Sequence, residues 1–182
     1  MKKMQKRIAL LLSLVLCFIL ATAGAAEYNA MNIFTISYDE NVYLLDNQSY
    51  ANESTDSYLW LFLMYDEANE VIIDVFMEQY EQYQGLSLFT ATTEERTAYV
   101  DATLDSLSDM NVKLLDTVTV SDMDIPFYLY YLEDEDGPYL LAETIVGGYA
   151  IDFSCYYGDY AGVDLELLNT LDSVLATFTP VV

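Results

Sequence analysis

The chain of 182 residues contains no histidine, only two cysteines and only six basic residues. The absence of histidine excludes His-based catalytic triads, Cys-His dyads and nearly all catalytic zinc sites. No glycine-rich loop leads from a predicted strand into a predicted helix, so the sequence has no phosphate-binding loop. We therefore expect a protein that is not an enzyme and has no catalytic, cofactor-binding or metal-binding residues.

The scarce positive charge lies at the amino terminus, where four of the six basic residues precede an apolar run that starts at Ile8 and ends in small residues. These are the parts of a secretory signal peptide, and Ala23-Gly24-Ala25 matches its cleavage pattern. We expect residues 1–26 to be the signal peptide, with cleavage after Ala25 or Ala26, and residues 27–182 to be a single secreted α+β domain. An uncleaved membrane anchor is the alternative, but the apolar run is short for a full span.

The remainder of the chain is strongly acidic. All 30 acidic residues follow the predicted signal peptide, and only Arg96 and Lys113 oppose them, which gives a formal charge of −28. Such a domain is repelled by nucleic acid and by anionic lipid, so its partners should be cationic or neutral. The 17 tyrosines and 8 phenylalanines argue against disorder, because acidic disordered chains contain few aromatic residues.

The predicted domain contains one cysteine, Cys155, and therefore no internal disulfide bond. Cys155 alternates with Ile151 and Phe153 along a predicted strand, which favours a buried core residue over a reactive thiol. The other cysteine, Cys17, follows Leu16, whereas a lipoprotein signal has a small residue at that position, so we do not expect Cys17 to carry a lipid. Because the predicted domain has no disulfide bond, it must be stabilised by its core alone.

The best-specified stretch, Asn111 to Tyr157, predicts four antiparallel strands in up-and-down order. Gly147-Gly148 suits a two-residue hairpin turn, because glycine accepts the positive φ angles that such a turn needs. The strand after it, Tyr149–Tyr157, alternates in the way that a strand with one buried face does. Two further turns are predicted at Asp136-Gly137-Pro138 and at residues 121–124.

Four earlier segments rich in β-forming residues predict strands, and residues 46–56 between the second and third form a polar loop. The last strand also fits a helical stripe, so strand and helix stay open for residues 71–84, although its Val, Ile and Phe favour a strand. The predicted strands are Asn32–Ser37, Val42–Leu45, Tyr58–Tyr65 and Val71–Met77.

Two helices complete the prediction. The first begins with a capping box over residues 92–95 and extends through Met110, where Asn111 suits the left-handed position that ends a helix. The second extends from about Val163 to Thr177 and is stopped by Pro180. Their buried stripes are Val100, Leu104 and Leu107 in the first helix, and Leu167, Leu171, Val174 and Phe178 in the second.

The order of these elements predicts an α+β fold. Strands do not alternate with helices as parallel βαβ units would, so the sheet should be antiparallel. We expect a hairpin plus a four-strand meander with helices packed on the faces of the sheet, in an α/β/α sandwich.

This layout resembles the PsbP-like fold, an α/β/α sandwich named after a photosystem II extrinsic subunit. The resembling parts are the opening strand pair FTISYDENVYLL, the hairpin YLWLFLMY and VIIDVFM, the helix from Thr93, the meander and the closing helix LLNTLDSVLATF. They cover nearly the whole predicted domain. The resemblance implies an exported binding or assembly module without catalysis. Members often have Pro and Trp near the first turn, where this chain has Tyr38-Asp39-Glu40, and no functional residue is carried over.

The acidic segment LEDEDGP, residues 132–138, allows a metal interpretation because part of it follows the spacing of a calcium-binding EF-hand loop. Position one would be Leu132, which cannot bind calcium, and strands rather than helices flank the segment, so we reject an EF-hand. A solvated hairpin tip is favoured, while calcium binding at Glu133–Asp136 stays open. The residues that match positions three, five, six and twelve are Asp134, Asp136, Gly137 and Glu143.

We therefore expect an exported, non-catalytic binding or accessory domain that acts outside the cytoplasm on an unknown extracytoplasmic protein or cell-surface component. We expect it to bind no nucleic acid and, after signal cleavage, no membrane. One alternative is a small carboxylate-dependent hydrolase, which needs two acids that converge in a pocket. The other is a calcium-responsive surface protein, which needs at least four converging oxygens. A binding domain instead needs an exposed apolar or aromatic patch.

Overall fold

The computed structural model describes residues 24–47, 58–120 and 124–181. Within these ranges the chain forms two antiparallel sheets, two α-helices and one 3-10 turn, which confirms the predicted α+β class with antiparallel sheet. The helices are α1 (Thr93–Ser106) and α2 (Leu165–Leu175), and the 3-10 turn is Glu81–Tyr83. The strands are β1 (Ala25–Ala30), β2 (Phe34–Asp39), β3 (Tyr43–Asp46), β4 (Tyr58–Asp66), β5 (Val71–Gln79), β6 (Asn111–Val120), β7 (Ile125–Glu133), β8 (Pro138–Val146), β9 (Tyr149–Tyr157) and β10 (Thr179–Pro180).

The large sheet has seven strands in the order β3-β4-β5-β9-β8-β7-β6. The predicted meander forms its second half, β6 to β9, with bounds close to those expected from the sequence. Gly147 and Gly148, at φ angles of 60° and 93°, make the turn between β8 and β9. A Cβ atom on Gly148 would lie 3.0 Å from the Tyr83 carbonyl oxygen, so the close approach of this backbone also requires glycine. Residues 121–123 of the predicted turn before β7 lie outside the described residues.

The first half of the large sheet is built from β3, β4 and β5. Residues 71–79 form a strand, which settles the choice between strand and helix for that segment. Val71 and Val75 point into the core, and the register of β4 against β5 shifts between Trp60 and Phe62, so that one residue of β4 is left unpaired. Most of the predicted polar loop, residues 48–56, lies outside the described residues.

The predicted pairing of the two opening strands is wrong, because the strands lie in different sheets. β2 and β3 do not pair; instead β2 lies between β1 and β10 in a three-stranded sheet, and β3 pairs with β4. β1 was not predicted because part of it was assigned to the signal peptide. β10 was not predicted because Pro180 was interpreted only as a helix stop, whereas proline is accepted in a strand at a sheet edge.

The first helix begins as predicted and ends earlier. The capping box is confirmed, since the Glu95 amide donates to Thr92 Oγ1 at 3.2 Å and the Thr92 amide donates to Glu95 Oε2 at 2.7 Å. The prediction that the helix extends through Met110 is wrong, because α1 ends at Ser106. Asn111 does not end a helix; it is the first residue of β6, where it pairs with Glu133. The pairing of β6 with β7 therefore overrides the local sequence pattern that predicted a helix up to Met110.

The second helix is shorter at both ends than predicted. Asp164 caps it, with Oδ1 accepting from the amides of Glu166 and Leu167 at 3.0 Å each. The predicted stripe is buried in full, although Phe178 lies beyond the last helical residue, Leu175. The helix thus ends before Pro180 can act on it.

Buried residues form two core clusters that contact the large sheet. The first contains alternate residues of β5, β7, β8 and β9 together with β2 and α2. The second contains the intervening residues of β7 and β8, such as Tyr130 and Ile145, together with Tyr99 of α1. Cys155 is fully buried in the first cluster, as predicted, and burial raises the pKa of its thiol to about 12.

Candidate functional site

A groove of about 360 Å³ lies beside α1 on the large sheet. Its residues come from β4, β5, β7, β8, β9, the hairpin tip after β7, the end of α1 and the loop after β9. Those from β4, β5 and β9 belong to neither core cluster. The residues that determine its chemistry are Trp60, Phe76, Tyr156 and Tyr160, which are aromatic, and Asp74, Asp134 and Asp152, which are acidic.

Strand alternation places these side chains on one face. On β9, Phe153 and Cys155 point into the first core cluster, so Asp152 and Tyr156 point to the opposite face. On β5, Val75 points into the same cluster, so its neighbours in the strand also face the groove. Antiparallel pairing of β5 with β9 then brings the two sets of residues side by side.

Asp74 fixes two of the aromatic rings. The residue is 5% exposed, and both of its carboxylate oxygens accept hydrogen bonds: Trp60 Nε1 donates to Oδ1 at 3.2 Å, and the Tyr156 hydroxyl donates to Oδ2 at 2.5 Å. Burial raises the pKa of Asp74 above its usual value, and the two hydrogen bonds offset only part of this rise. Because both oxygens accept hydrogen bonds, Asp74 acts here as a positioning residue.

The aromatic rings form two stacked pairs. Trp60 and Phe76 lie opposite each other on β4 and β5, with ring centroids 5.1 Å apart and planes 28° from parallel. Tyr156 and Tyr160 stack with centroids 4.9 Å apart and planes 3° from parallel. Stacked aromatic pairs of this kind have a defined orientation, so the groove presents ordered rings rather than a loose apolar surface.

Tyr160 is held in place by the hairpin tip between β7 and β8. Its own backbone is left-handed, with φ of 52°, which is uncommon for a residue that carries a side chain. A Cβ atom on Gly137 would lie 2.7 Å from the Tyr160 Cβ, so only glycine at the tip leaves room for this approach. The acidic tip therefore borders the groove and helps to position one of its rings.

Asp152 has a buried carboxylate oxygen without a hydrogen-bond partner among the described residues. Its Oδ1 is buried, and no group in the described ranges donates to it. Burial raises its pKa, and the charges of Glu143 and Glu78 raise it further. Asp152 pairs across the sheet with Phe76 on one side and with Glu143 on the other. It is thus a half-buried strand residue with one carboxylate oxygen to which no described group donates.

The residues of the calcium interpretation are separated. At the tip, Asp134 Oδ1 accepts from the amides of Asp136 and Gly137 at 2.9 and 3.2 Å, as in a tight turn. Glu143 lies in the middle of β8 instead, 8% exposed, where Thr103 Oγ1 of α1 donates to its Oε2 at 3.1 Å. Among the residues that the structure describes, no group of three or more His, Cys, Asp or Glu side chains could hold a metal ion.

Of the aromatic and acidic residues of the groove, only Asp134 was a candidate site residue from the sequence, and it was considered for calcium binding. A signal was present, because Asp74 interrupts the apolar run VIIDVFM and Asp152 lies within YAIDFSC. A single acid on a central strand is rarely buried without a partner, so each is a candidate for a special role. What joins the two is the pairing of β5 with β9, which links residues about 80 positions apart and has no local signature.

No protein-family model matches the sequence, and no curated protein matches it either. Among solved structures, the solution structure of cyanobacterial PsbP (CyanoP) from Synechocystis sp. PCC 6803 is similar to this chain. The two share 15% sequence identity at a TM-score of 0.46, and the match covers 87% of this chain and 93% of that one. That structure belongs to the same PsbP-like group that the order of elements resembles.

Within the described ranges, neither helix is long and apolar enough to cross a membrane.

Proposed function

We propose that this chain is a non-catalytic binding or accessory domain and that the groove is its binding surface. The observation that carries the proposal is the group of four aromatic rings that line the groove in two stacked pairs. Ordered aromatic side chains provide large contact areas at low entropic cost, which is why they are enriched at binding sites. Tyrosines that merely fill a sheet, such as Tyr130, are buried in a core cluster instead.

We also propose that the protein acts outside the cytoplasm. Residues 1–26 have the composition of a signal peptide, so residues 27–182 would form one domain that is secreted and contacts another extracytoplasmic protein or a cell-surface component. Cleavage after Ala26 would remove only the first two residues of β1 and leave its pairs from Glu27 to Ala30 intact. We also propose that the fold is an α/β/α sandwich. This is supported by the helices, since α1 contributes to one core cluster and α2 to the other.

A carboxylate-dependent hydrolase is the second candidate, because Asp74 and Asp152 line the same groove. Acid–base hydrolysis needs one carboxyl that is protonated and one that is ionised and free to act. Asp74 has both oxygens engaged by Trp60 and Tyr156, and burial raises the pKa of both acids rather than separating them. This arrangement supports binding better than hydrolysis.

Site-specific crosslinking tests the proposed function. A photoreactive benzoyl-phenylalanine replaces Tyr139, a half-buried residue of the groove, and the protein is irradiated with the envelope fraction of its native host. The control carries the same group at Leu165, which is 69% exposed and does not line the groove. We expect a defined adduct, identified by mass spectrometry, from position 139 only, and its loss when Phe76→Ala is added. Equal adducts from both positions, or adducts that persist with Phe76→Ala, would exclude the groove as the binding surface.

A panel of esterase, peptidase and glycosidase substrates separates the two candidates. We expect no turnover above background. Turnover that is abolished by Asp152→Asn and retained by Asp101→Asn, an exposed acid on α1, would favour the hydrolase.

A further inference from the structure

The charged side chains that line the groove are all negative. Three carboxylates line it, from Asp74, Asp134 and Asp152, and none of its lining residues in the described ranges is a lysine or an arginine. Resting on the function proposed above, we propose that the groove docks a partner protein through a cationic side chain of that partner, whose guanidinium or ammonium group reaches Asp152.

Asp152 is the groove acid with a buried oxygen that accepts no hydrogen bond from the described residues. A buried carboxylate is stable as an anion only when hydrogen bonds or a positive charge compensate its lost hydration. No described group donates to Asp152 Oδ1, and the charges that act on this carboxyl, from Glu143 and Glu78, are both negative. Asp152 is half-buried and lines the groove, so a cation that enters the groove would place a positive charge beside this carboxylate. Asp74 is the less available partner, because each of its oxygens already accepts a hydrogen bond.

The aromatic rings suit the same ligand. A guanidinium or ammonium group is attracted to the face of Trp or Tyr within about 6 Å of the ring centre, and a guanidinium also stacks on it. Trp60 and Tyr156 are both oriented by Asp74 and lie on either side of it, on β4 and β9. The aliphatic part of a long cationic side chain can therefore lie against these rings while its charged end meets Asp152.

The charge of the whole chain favours the same kind of partner. With 30 acidic residues against 6 basic ones, the protein attracts cationic segments and repels nucleic acid and anionic lipid. The groove opens to solvent on one side, so a side chain can enter it while the backbone that carries it remains outside. Charge complementarity thus selects a basic protein segment as the occupant.

Trp60 makes the proposal measurable, since it is the only tryptophan of the chain and it lines the groove. The probe is acetyl-Gly-Arg-Gly-amide, and its control replaces arginine by citrulline, which has the same shape and no charge. We expect a saturable change in Trp60 fluorescence with the arginine peptide and at least about tenfold weaker binding of the citrulline peptide. Equal binding of the two peptides would overturn the proposal.

A pair of variants locates the charge. Asp152→Asn keeps the shape of the side chain and should weaken binding of the arginine peptide about tenfold. Asp101→Asn removes the same charge from an exposed position on α1 and should leave binding unchanged. A uniform weakening by both variants would show that net charge, rather than Asp152, attracts the peptide, and would contradict the proposal. Because the citrulline control needs no variant, the test stands even if Asp152→Asn alters folding.

The failure of this inference can be distinguished from the failure of the proposed function. If the arginine peptide does not bind but the adduct from position 139 still depends on Phe76, the groove docks a neutral partner and only the charge assignment is wrong. If saturable binding occurs with a neutral oligosaccharide such as chitotriose and not with the arginine peptide, the groove recognises a glycan. If neither the peptide nor the adduct is observed, both proposals fall.

Discussion

The face of the large sheet that carries the groove has two regions with similar side chains and different surroundings. Over β7 and β8, α1 covers the sheet, and Tyr130 and Glu143 are buried beneath it. Over β4, β5 and β9, Phe76 and Asp152 line the groove instead. Both regions combine aromatic rings with a carboxylate on a central strand. Residue type alone therefore does not distinguish a core from a binding surface.

The difference lies in what α1 provides. Thr103 of this helix donates a hydrogen bond to Glu143 and also shields it from water. Asp152, one strand away and directly opposite Glu143, receives no such bond to its buried oxygen. Glu143 is thus satisfied within the fold, whereas the unsatisfied oxygen of Asp152 is the feature on which the proposed cation binding depends.

The largest effect should separate the covered aromatic residues from those of the groove. Tyr130→Ala creates a cavity under α1 and should lower the free energy of unfolding by about 3–5 kcal/mol. Tyr160→Ala removes a half-buried ring from the groove and should cost about 1 kcal/mol. Urea unfolding of both variants measures the difference. Similar losses would mean that the groove rings are core residues, and the comparison would not hold.

The hydrogen bond from α1 can be removed to make Glu143 resemble Asp152. Thr103→Val keeps the shape of the side chain and leaves Glu143 Oε2 without this donor, which should destabilise the protein by about 1–3 kcal/mol at neutral pH. Thr97→Val, which affects an exposed hydroxyl near the start of the same helix, is the control. If the two variants unfold at the same urea concentration, the bond to Glu143 contributes little.

The tip of the acidic hairpin should prove structural through Gly137. Gly137→Ala adds a Cβ atom 2.7 Å from the Tyr160 Cβ, at a φ angle of 138° that other residues rarely adopt, so we expect a loss of about 1–3 kcal/mol. Gly158→Ala meets no atom closer than 3.7 Å and serves as the matched control. Unchanged stability of Gly137→Ala would show that the tip and Tyr160 move apart freely.

The smallest effect concerns the pH dependence of stability. Burial raises the folded-state pKa values of Asp74, Glu143 and Asp152, so the folded state binds more protons than the unfolded state. The stability that these groups contribute is present below their unfolded pKa values, near 4, and is lost as pH rises through the folded values. The melting midpoint should therefore be higher at pH 5 than at pH 7.

Asp152→Asn removes one of these groups and should reduce the pH dependence. At pH 7 the variant should be more stable than the wild-type protein by roughly 1 kcal/mol, or about 2–4 °C in melting midpoint, because a buried charge without a donor is lost. Asp101→Asn should not change the slope. A midpoint that falls from pH 7 to pH 5 would instead show that stabilised carboxylates, such as the helix caps Glu95 and Asp164, dominate.

Local patterns predicted the elements that depend on neighbours in sequence. The meander could be predicted because its alternation and its Gly147-Gly148 turn are local properties. The start of α1 could be predicted because a capping box involves only four residues. The end of α1 could not, since Asn111 also satisfies its side chain by donating to Glu133, 22 residues away, at 3.0 Å.

The sequence by itself determined the α+β class, the acidity and the burial of Cys155, because composition and strand period are properties of the unfolded chain as much as of the folded one. Only the tertiary structure decided that β2 leaves β3 to pair with β1 and β10, and that Asp74 and Asp152 share a groove. Both outcomes depend on which strands become neighbours. That choice is made by the burial of whole faces, and it brings together residues that no short stretch of sequence relates.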